Sequence, residues 1–141
     1  MGKEILGIYC RVSSRKQQDD GTSIDYQIKI GKKVSKILGM KVEIYNEGGK
    51  SSWDSNINTR IELVRLLNNV ESKKIKSVWV WNMDRMGRNS QSWYSILKIL
   101  VGYKVNLFNN IFKHCYHNFR NTCHNINIFY FKTCYLSNRI V

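Results

Sequence analysis

The sequence predicts an α/β fold in which flanking helices cover a mainly parallel sheet. Short apolar runs of about five residues alternate with longer segments in which apolar residues recur at helical spacing. Their order along the chain is strand, helix, strand, helix, strand, helix, strand. This alternation is typical of parallel sheets, because each helix provides the crossover to the next strand. The 141 residues are enough for one compact domain but hardly for two.

The first strand and the first helix have the clearest patterns. Residues 5–9 form an apolar run that suits a buried strand. From Ile24 to Leu38, apolar residues approximate one helical face. Thr22 with Asp25 resembles a capping box at the start of this helix, and Gly39 is a suitable residue to end it.

The remaining elements are predicted from the same two patterns: strands at 41–45, 76–81 and 105–108, and helices at 61–70 and 93–101. Thr59 with Glu62 resembles a second capping box at the start of the middle helix, and Gly102 follows the last one. A loop rich in glycine and serine fills 47–58. We therefore expect four parallel strands joined by three helices.

Polar segments follow the first three strands, at 11–17, 47–60 and 84–88. In open α/β sheets, sites form at the carboxyl ends of the strands, near the point where the strand order switches. The three segments together provide hydroxyls, amides and several guanidiniums. A hydroxyl among arginines suits attack on a phosphodiester, because guanidiniums stay charged and bind phosphate oxygens bidentately.

Several short motifs occur in one order with compatible spacings. They are Tyr-Cys-Arg-Val-Ser at 9–13, then Gln17, Ser-Ile-Asp-Tyr-Gln at 23–27, and Asp-Arg-Met-Gly-Arg at 84–88. This set resembles the catalytic domain of the serine recombinases, the resolvase and invertase family. The extra residues between Gln17 and Ser23 are closer to the large serine recombinases than to the short resolvases. The resemblance covers about residues 4 to 108.

The resemblance implies a role for eight residues. Ser13 would be the nucleophile, since the family places it two residues after an arginine; Ser14 is its obvious competitor. The residues that would hold the scissile phosphate are Arg11, Arg60, Arg85 and Arg88. Asp84 would assist proton transfer or orient the arginines, and Gln17 and Gln27 would position the site. The residue after Arg60 is Ile61, where the family usually has proline.

The implied function is site-specific DNA recombination of the serine type, with cutting and rejoining through a covalent 5′-phosphoserine intermediate. The partner would be double-stranded DNA, and the family works as dimers and synaptic tetramers without a metal or other cofactor. Lys and Arg number 23 against 10 Asp and Glu, a net charge of +13 that suits such a polyanion. The apolar runs are too short for a membrane span, and we expect a cytoplasmic protein.

The chain changes character after the resemblance ends, so we divide it into a resolvase-like domain at 1–108 and a tail at 109–141. All ten acidic residues lie in 1–84, whereas 85–141 holds eight basic residues. The tail is rich in Asn, Phe, Tyr and Cys. Its Asn, Lys, Ile, Phe and Tyr are the residues that an AT-rich coding sequence yields when it is translated out of frame. We interpret it as frameshifted or disordered, and the catalytic domain as truncated without its dimer helix. The alternative function is a catalytically inactive, basic nucleic-acid-binding fragment.

Cysteines suggest two further interpretations, both weaker. Cys10 and Arg15 resemble a phosphate-cradling phosphatase loop, but four residues separate them where that loop needs five. A zinc site in the tail would have to use scattered ligands without a Cys-x-x-Cys pair, namely Cys115, His117, Cys123, His124 and Cys134. We therefore expect no metal.

Overall fold

The computed structural model describes residues 2–12, 23–49, 57–87 and 90–110. Within them the chain forms β1 (Ile5–Cys10), α1 (Ile24–Leu38), β2 (Lys41–Asn46), α2 (Ile61–Glu71), β3 (Ser77–Val80), α3 (Ser90–Gly102) and β4 (Asn106–Asn109). Short 3-10 turns at Ile57–Thr59 and Met83–Arg85 precede α2 and follow β3. The alternating order expected from the sequence is confirmed, and the elements differ from the expected bounds by a few residues at most.

The described strands form one four-stranded sheet in the order β2-β1-β3-β4, and each pair is parallel. The predicted fold class, a parallel sheet with flanking helices, is therefore confirmed. The chain passes from β1 to β2 on one side and then returns to place β3 on the other. The strand order thus switches at β1, so residues that follow β1 lie beside residues that follow β2 and β3.

The two faces of the sheet have separate apolar cores. Leu6, Ile8 and Cys10 of β1 pack with Ile30 and Val34 of α1 on one face. On the opposite face, where α2 and α3 lie, the buried core includes Tyr9, Tyr45, Leu63, Leu66, Ile96 and Leu100. Successive side chains of a strand point to opposite faces, which explains why neighbouring residues of β1 belong to different cores.

Glycines bring the helices close to β1. A Cβ atom on Gly31 of α1 would lie 2.8 Å from Ile8 Cδ1, closer than real Cβ atoms approach another carbon. On the other face, a Cβ atom on Gly7 of β1 would lie 3.0 Å from Leu66 Cδ1. The missing side chains therefore allow tight packing on both faces of this central strand.

The helix starts correct both capping-box predictions. α1 begins after Ser23, whose hydroxyl oxygen accepts a hydrogen bond from the Tyr26 amide at 3.2 Å, so Thr22 is not the N-cap. α2 begins after Arg60, whereas Thr59 belongs to the preceding 3-10 turn. The predicted end of α1 is confirmed, since Gly39 adopts the left-handed conformation with φ of 67°. No helix within the described ranges is long and apolar enough to cross a membrane.

Candidate active site

The carboxyl ends of β1, β2 and β3 bring together residues that are distant in the sequence. Arg11 directly follows β1, Glu47 follows β2, and Arg85 lies in the turn after β3. Arg60 joins them from the start of α2, and Gln27 from the second turn of α1. Of the eight candidate site residues, the structure thus places Arg11, Gln27, Arg60 and Arg85 at one edge of the sheet.

Arg60 is the centre of this group and is only 7% exposed. Its Nη2 atom donates to the Tyr9 hydroxyl at 2.5 Å and to the Arg85 carbonyl at 2.6 Å. Its Nη1 atom donates to the Met86 carbonyl. The guanidinium carbon also lies 5.5 Å from the centroid of the Tyr9 ring. The side chain therefore links β1 to the segment that follows β3.

The acceptors that hold Arg60 are neutral. Among the residues whose side chains are described, no carboxylate lies within ion-pair distance of its guanidinium. Its Nε atom is buried and has no hydrogen-bond partner in the same set of residues, and the same holds for Nε of Arg85. A buried donor without an acceptor costs free energy, so both groups favour an incoming anion.

Tyr9 and Glu47 support Arg60 and were not among the residues predicted for the site. The Tyr9 hydroxyl donates to Glu47 Oε2 at 3.3 Å, and the same oxygen accepts from the backbone amide of Leu63 at 3.0 Å. Glu47 thereby ties the end of β2 to the first turn of α2, where the helix dipole favours a negative charge. In the sequence, Tyr9 opens the first family motif but has no role assigned to it, and Glu47 looks like a loop residue, so neither is predicted for the site.

The environment of Tyr9 keeps its hydroxyl protonated. Burial raises the pKa of Tyr9 well above its usual value, and the charge of Glu47 raises it further. Arg60 and Arg11 oppose this rise, because positive charges near the hydroxyl favour the ionised phenol. Tyr9 consequently acts as a neutral hydrogen-bonding link between Arg60 and Glu47.

Arg11 and Gln27 lie on the α1 side of the same edge. Arg11 is 2% exposed, and Gln27 is fully buried. The Gln27 side-chain amide donates to the Arg11 carbonyl at 3.2 Å, so α1 fixes the backbone where the chain leaves β1. This hydrogen bond joins α1 to the segment that begins at Arg11, and the predicted role of Gln27 in positioning the site stays a prediction.

The other candidate residues cannot be placed in the same detail. Asp84 lies in the Met83–Arg85 turn, of which the backbone is described. Ser13, Gln17 and Arg88 lie outside the described residues, as do Ser14 and Arg15. The assigned roles of these residues stay predictions.

Cys10 does not fit a phosphatase nucleophile. Its side chain is fully buried in the α1 core, and burial raises the pKa of its thiol to about 12. A catalytic cysteine instead needs a lowered pKa that makes the thiolate available. The cysteines and histidines considered for zinc lie outside the described residues, so that interpretation is not tested.

A parallel sheet with arginines gathered at the switch of its strand order suits the binding of an anionic ligand such as a phosphate. The family described as Resolvase, N terminal domain, matches residues 6–110. The chain belongs to this family, and the resemblance to serine recombinases seen in its motifs is confirmed. No curated protein matches the sequence significantly.

Solved structures agree with the family assignment. The N-terminal catalytic domain of TP901-1 integrase is 28% identical over 75% of this chain and 76% of its own, with a TM-score of 0.61. A resolvase family site-specific recombinase from Streptococcus pneumoniae is 28% identical over 74% of this chain and 70% of its own, with a TM-score of 0.58. The C-terminal catalytic domain of an IS607-like serine recombinase, at 23% identity and a TM-score of 0.59, covers 76% of this chain and 72% of its own and shares the fold.

Proposed function

We propose that this chain carries the chemistry of a site-specific DNA recombinase of the serine type. The observation that carries the proposal is the pairing of Arg60, buried at the head of α2, with Arg85 in the turn after β3: the Nε atoms of both are buried and lack acceptors among the described residues. Arg60 also stands at a helix N-terminus, where backbone amides and the helix dipole favour a phosphate. Arg11 adds a third guanidinium beside Tyr9.

In the proposed reaction, the Ser13 hydroxyl attacks the phosphorus of a DNA phosphodiester. A bond forms between Ser13 Oγ and phosphorus while the bond from phosphorus to the 3′ oxygen breaks. The proton that leaves Ser13 is balanced by the proton that the 3′ oxygen gains. The products are a 5′-phosphoserine link and a free 3′ hydroxyl, and the reverse step rejoins the strand.

The arginines would stabilise the charge that builds up on the non-bridging oxygens during this attack. Arg60 is held in place before the substrate arrives, because Tyr9 and two backbone carbonyls already fix its guanidinium. Arg88 and Asp84 would complete the pocket, with Asp84 assisting proton transfer or orienting the arginines. Gln17 and Gln27 would keep the loop that carries Ser13 in position.

A covalent-capture assay tests this proposal. The full chain is incubated with a random-sequence pool of nicked duplexes, and adducts that survive denaturant are digested with trypsin. The expected peptide spans residues 12–15 and contains both Ser13 and Ser14, so fragmentation must locate the attached nucleotide. We expect it on Ser13, with loss of the adduct in Ser13→Ala and its retention in Ser14→Ala.

Two results would contradict the proposal. An unchanged adduct yield in Ser13→Ala would show that another group attacks the DNA. A wild-type chain that binds duplex DNA strongly without forming an adduct would favour the alternative function, a basic nucleic-acid-binding fragment without chemistry. Binding of that kind weakens steeply with added salt, because it depends on contacts to phosphates.

We propose further that the tail beyond β4, residues 111–141, does not continue the catalytic domain. The predicted division at 109 falls slightly early, because Asn109 pairs with Val80 in the sheet and the family match extends to residue 110. The absence of acidic residues after Asp84 and the aromatic, Asn-rich composition of the tail support this division. Resequencing the coding DNA and translating all three frames beyond codon 105 tests it. Another frame that continues with a charged helical stretch would support a frameshift and a truncated recombinase, whereas its absence would make the tail a genuine part of the protein.

A further inference from the structure

The solvent-exposed side of α1 carries a cluster of positive charge. Lys29, Lys32, Lys33 and Lys36 are all exposed, and we call them the α1 lysine face. Asp25 in the first turn is the only acidic residue of this helix. The opposite side of the helix packs Ile30 and Val34 into the core against β1. The apolar side of α1 is therefore used by the fold, and the basic side remains available.

The charges of the α1 lysine face are not neutralised within the part of the chain that the structure describes. The ion pairs found there involve Arg65 and Lys74 with Glu43 and Glu62 instead. Those residues belong to β2, to α2 and to the turn after α2. Among the described residues, the clustered lysines on the α1 side of the sheet therefore have no carboxylate partner.

This cluster starts near the amino end of α1, which is the end of the helix at the candidate active site. Gln27 lies on the buried side of that end and donates to the carbonyl of Arg11 at 3.2 Å, and Lys29 follows two residues later on the exposed side. From Lys29 to Lys36 the helix advances about 10 Å at 1.5 Å per residue. Phosphates of one DNA strand advance about 3.4 Å along the duplex axis, so the face matches a run of about three phosphates.

We propose that the α1 lysine face binds the backbone of duplex DNA beside the cleaved phosphodiester. This rests on the proposed function, because it takes DNA as the substrate of the neighbouring site. The four ammonium groups contact phosphates without reading bases, and they hold the duplex along α1. Their contribution is to affinity and orientation, while the arginines act on the reacting phosphate.

The test compares two variants that lose the same number of charges. The first carries Lys29→Gln, Lys32→Gln, Lys33→Gln and Lys36→Gln. The control carries Gln at four exposed lysines near the opposite, amino edge of the sheet, at positions 41, 73, 76 and 104. Both are made in the full chain with Ser13→Ala, so that covalent capture cannot contribute, and their thermal melting is compared with that of the parent.

Binding of a fluorescein-labelled random-sequence duplex is followed by anisotropy between about 50 and 200 mM salt. The α1 variant should bind the duplex at least about tenfold more weakly. Each lost phosphate contact should make the negative slope of log K against log salt shallower by about 0.9. The control should lose much less affinity and keep the parent's slope. Equal losses in the two variants, or absence of duplex binding in the parent, would overturn the proposal.

A second arm uses vesicles with and without anionic lipid. A lysine face that serves a membrane surface would lose vesicle binding in the α1 variant while duplex binding stays unchanged, and this result would also overturn the proposal. The covalent-capture assay separates this inference from the proposed function. If the chain forms the adduct but the α1 substitutions leave duplex binding unchanged, only the role of the α1 lysine face is contradicted. If the substitutions weaken duplex binding but no adduct forms, only the proposed cleavage by Ser13 is contradicted.

Discussion

Two arginines lie five residues apart, Arg60 at the start of α2 and Arg65 within it, and their electrostatic surroundings differ. Arg65 is paired with Glu43 at 3.0 Å and with Glu62 at 2.6 Å, and its side chain is 42% exposed. Arg60 is buried and is held by a phenol and two backbone carbonyls. Each guanidinium lies over a tyrosine ring, at 4.2 Å for Arg65 over Tyr45 and at 5.5 Å for Arg60 over Tyr9.

The difference separates a charge that is already paired within the fold from one that we propose acts on a bound phosphate. Arg65 forms ion pairs with two carboxylates, and these pairs join β2 to α2. Because its charge is already paired, Arg65 is poorly suited to bind an anionic ligand. Arg60 is fixed in orientation without a described counterion, and an arrangement of this kind gains most when an anion arrives. A buried arginine that lacks a carboxylate therefore marks the site better than the count of basic residues does.

The largest expected effect is on the rate of adduct formation, when Arg60 and Arg65 are each replaced by alanine and the two variants are compared. Arg60→Ala should slow formation of the Ser13 adduct by about 10²- to 10³-fold, because a fixed donor to the reacting phosphate is lost. Arg65→Ala, which serves as the control, should leave the rate nearly unchanged. The capture assay at saturating DNA measures both rates, and an equal loss in the two variants would show that general positive charge, not the position of Arg60, matters.

The next largest expected difference is in stability, between variants of Tyr9, which contacts Arg60, and of Tyr45, which contacts Arg65. Tyr9→Phe should lower the free energy of unfolding by about 1–3 kcal/mol, because Arg60 and Glu47 both lose a partner in a buried position. Tyr45→Phe removes a hydrogen-bond partner of Asn69 and Glu43, and it should cost less because both of these side chains are only partly buried and water can replace the lost bonds. Urea denaturation measures both values, and a larger loss in Tyr45→Phe would contradict the central role of Tyr9.

Breaking the ion pair of Arg65 should have a small effect. The pair between Arg65 and Glu43 is partly exposed, so solvent screens it, and a double-mutant cycle with Arg65→Gln and Glu43→Gln should give about 0.2–1 kcal/mol. The coupling should shrink further in high salt, because salt screens exposed charges. A coupling that is large and insensitive to salt would mean that the pair is more buried than the structure indicates.

The smallest effect concerns pH and Glu43. Partial burial by itself would raise the pKa of Glu43, but hydrogen bonds from Lys74 and Tyr45 and the charges of Lys74 and Arg65 lower this pKa below its usual value. A lowered pKa in the folded state stabilises the fold above the pKa of the unfolded chain, and this contribution disappears as the pH falls through the folded value. Thermal melts between neutral and acidic pH should therefore show a shallower decline for Glu43→Gln than for the wild type. A decline of equal steepness would contradict this.

Most of the fold follows from local patterns in the sequence. Apolar runs and helical spacing locate all seven elements, because buried faces require those periods. The capping boxes failed for a local reason: hydroxyl residues adjoin at Thr22 and Ser23, and a 3-10 turn ending at Thr59 precedes α2. A motif four residues long cannot specify which neighbour caps the helix.

The site is predictable only in part, because its contacts join distant segments. The link between Arg60 and Tyr9 spans 51 positions and exists because β1 lies between β2 and β3. Family motifs identify Arg11, Gln27, Arg60 and Arg85 without revealing what they touch. Glu47 was missed as a site residue because its role depends on the Leu63 amide, a backbone group that no side-chain motif reports.

The close packing at Gly7 and Gly31 also has a consequence for hydrogen exchange. β1 is enclosed by a strand on each side and by helices that approach it at near-contact distance on both faces. Its backbone amides should therefore exchange with solvent only when the whole domain unfolds, later than those at the ends of the helices. Arg11 follows immediately after this strand, so the first guanidinium of the site is anchored to the part of the chain that opens last.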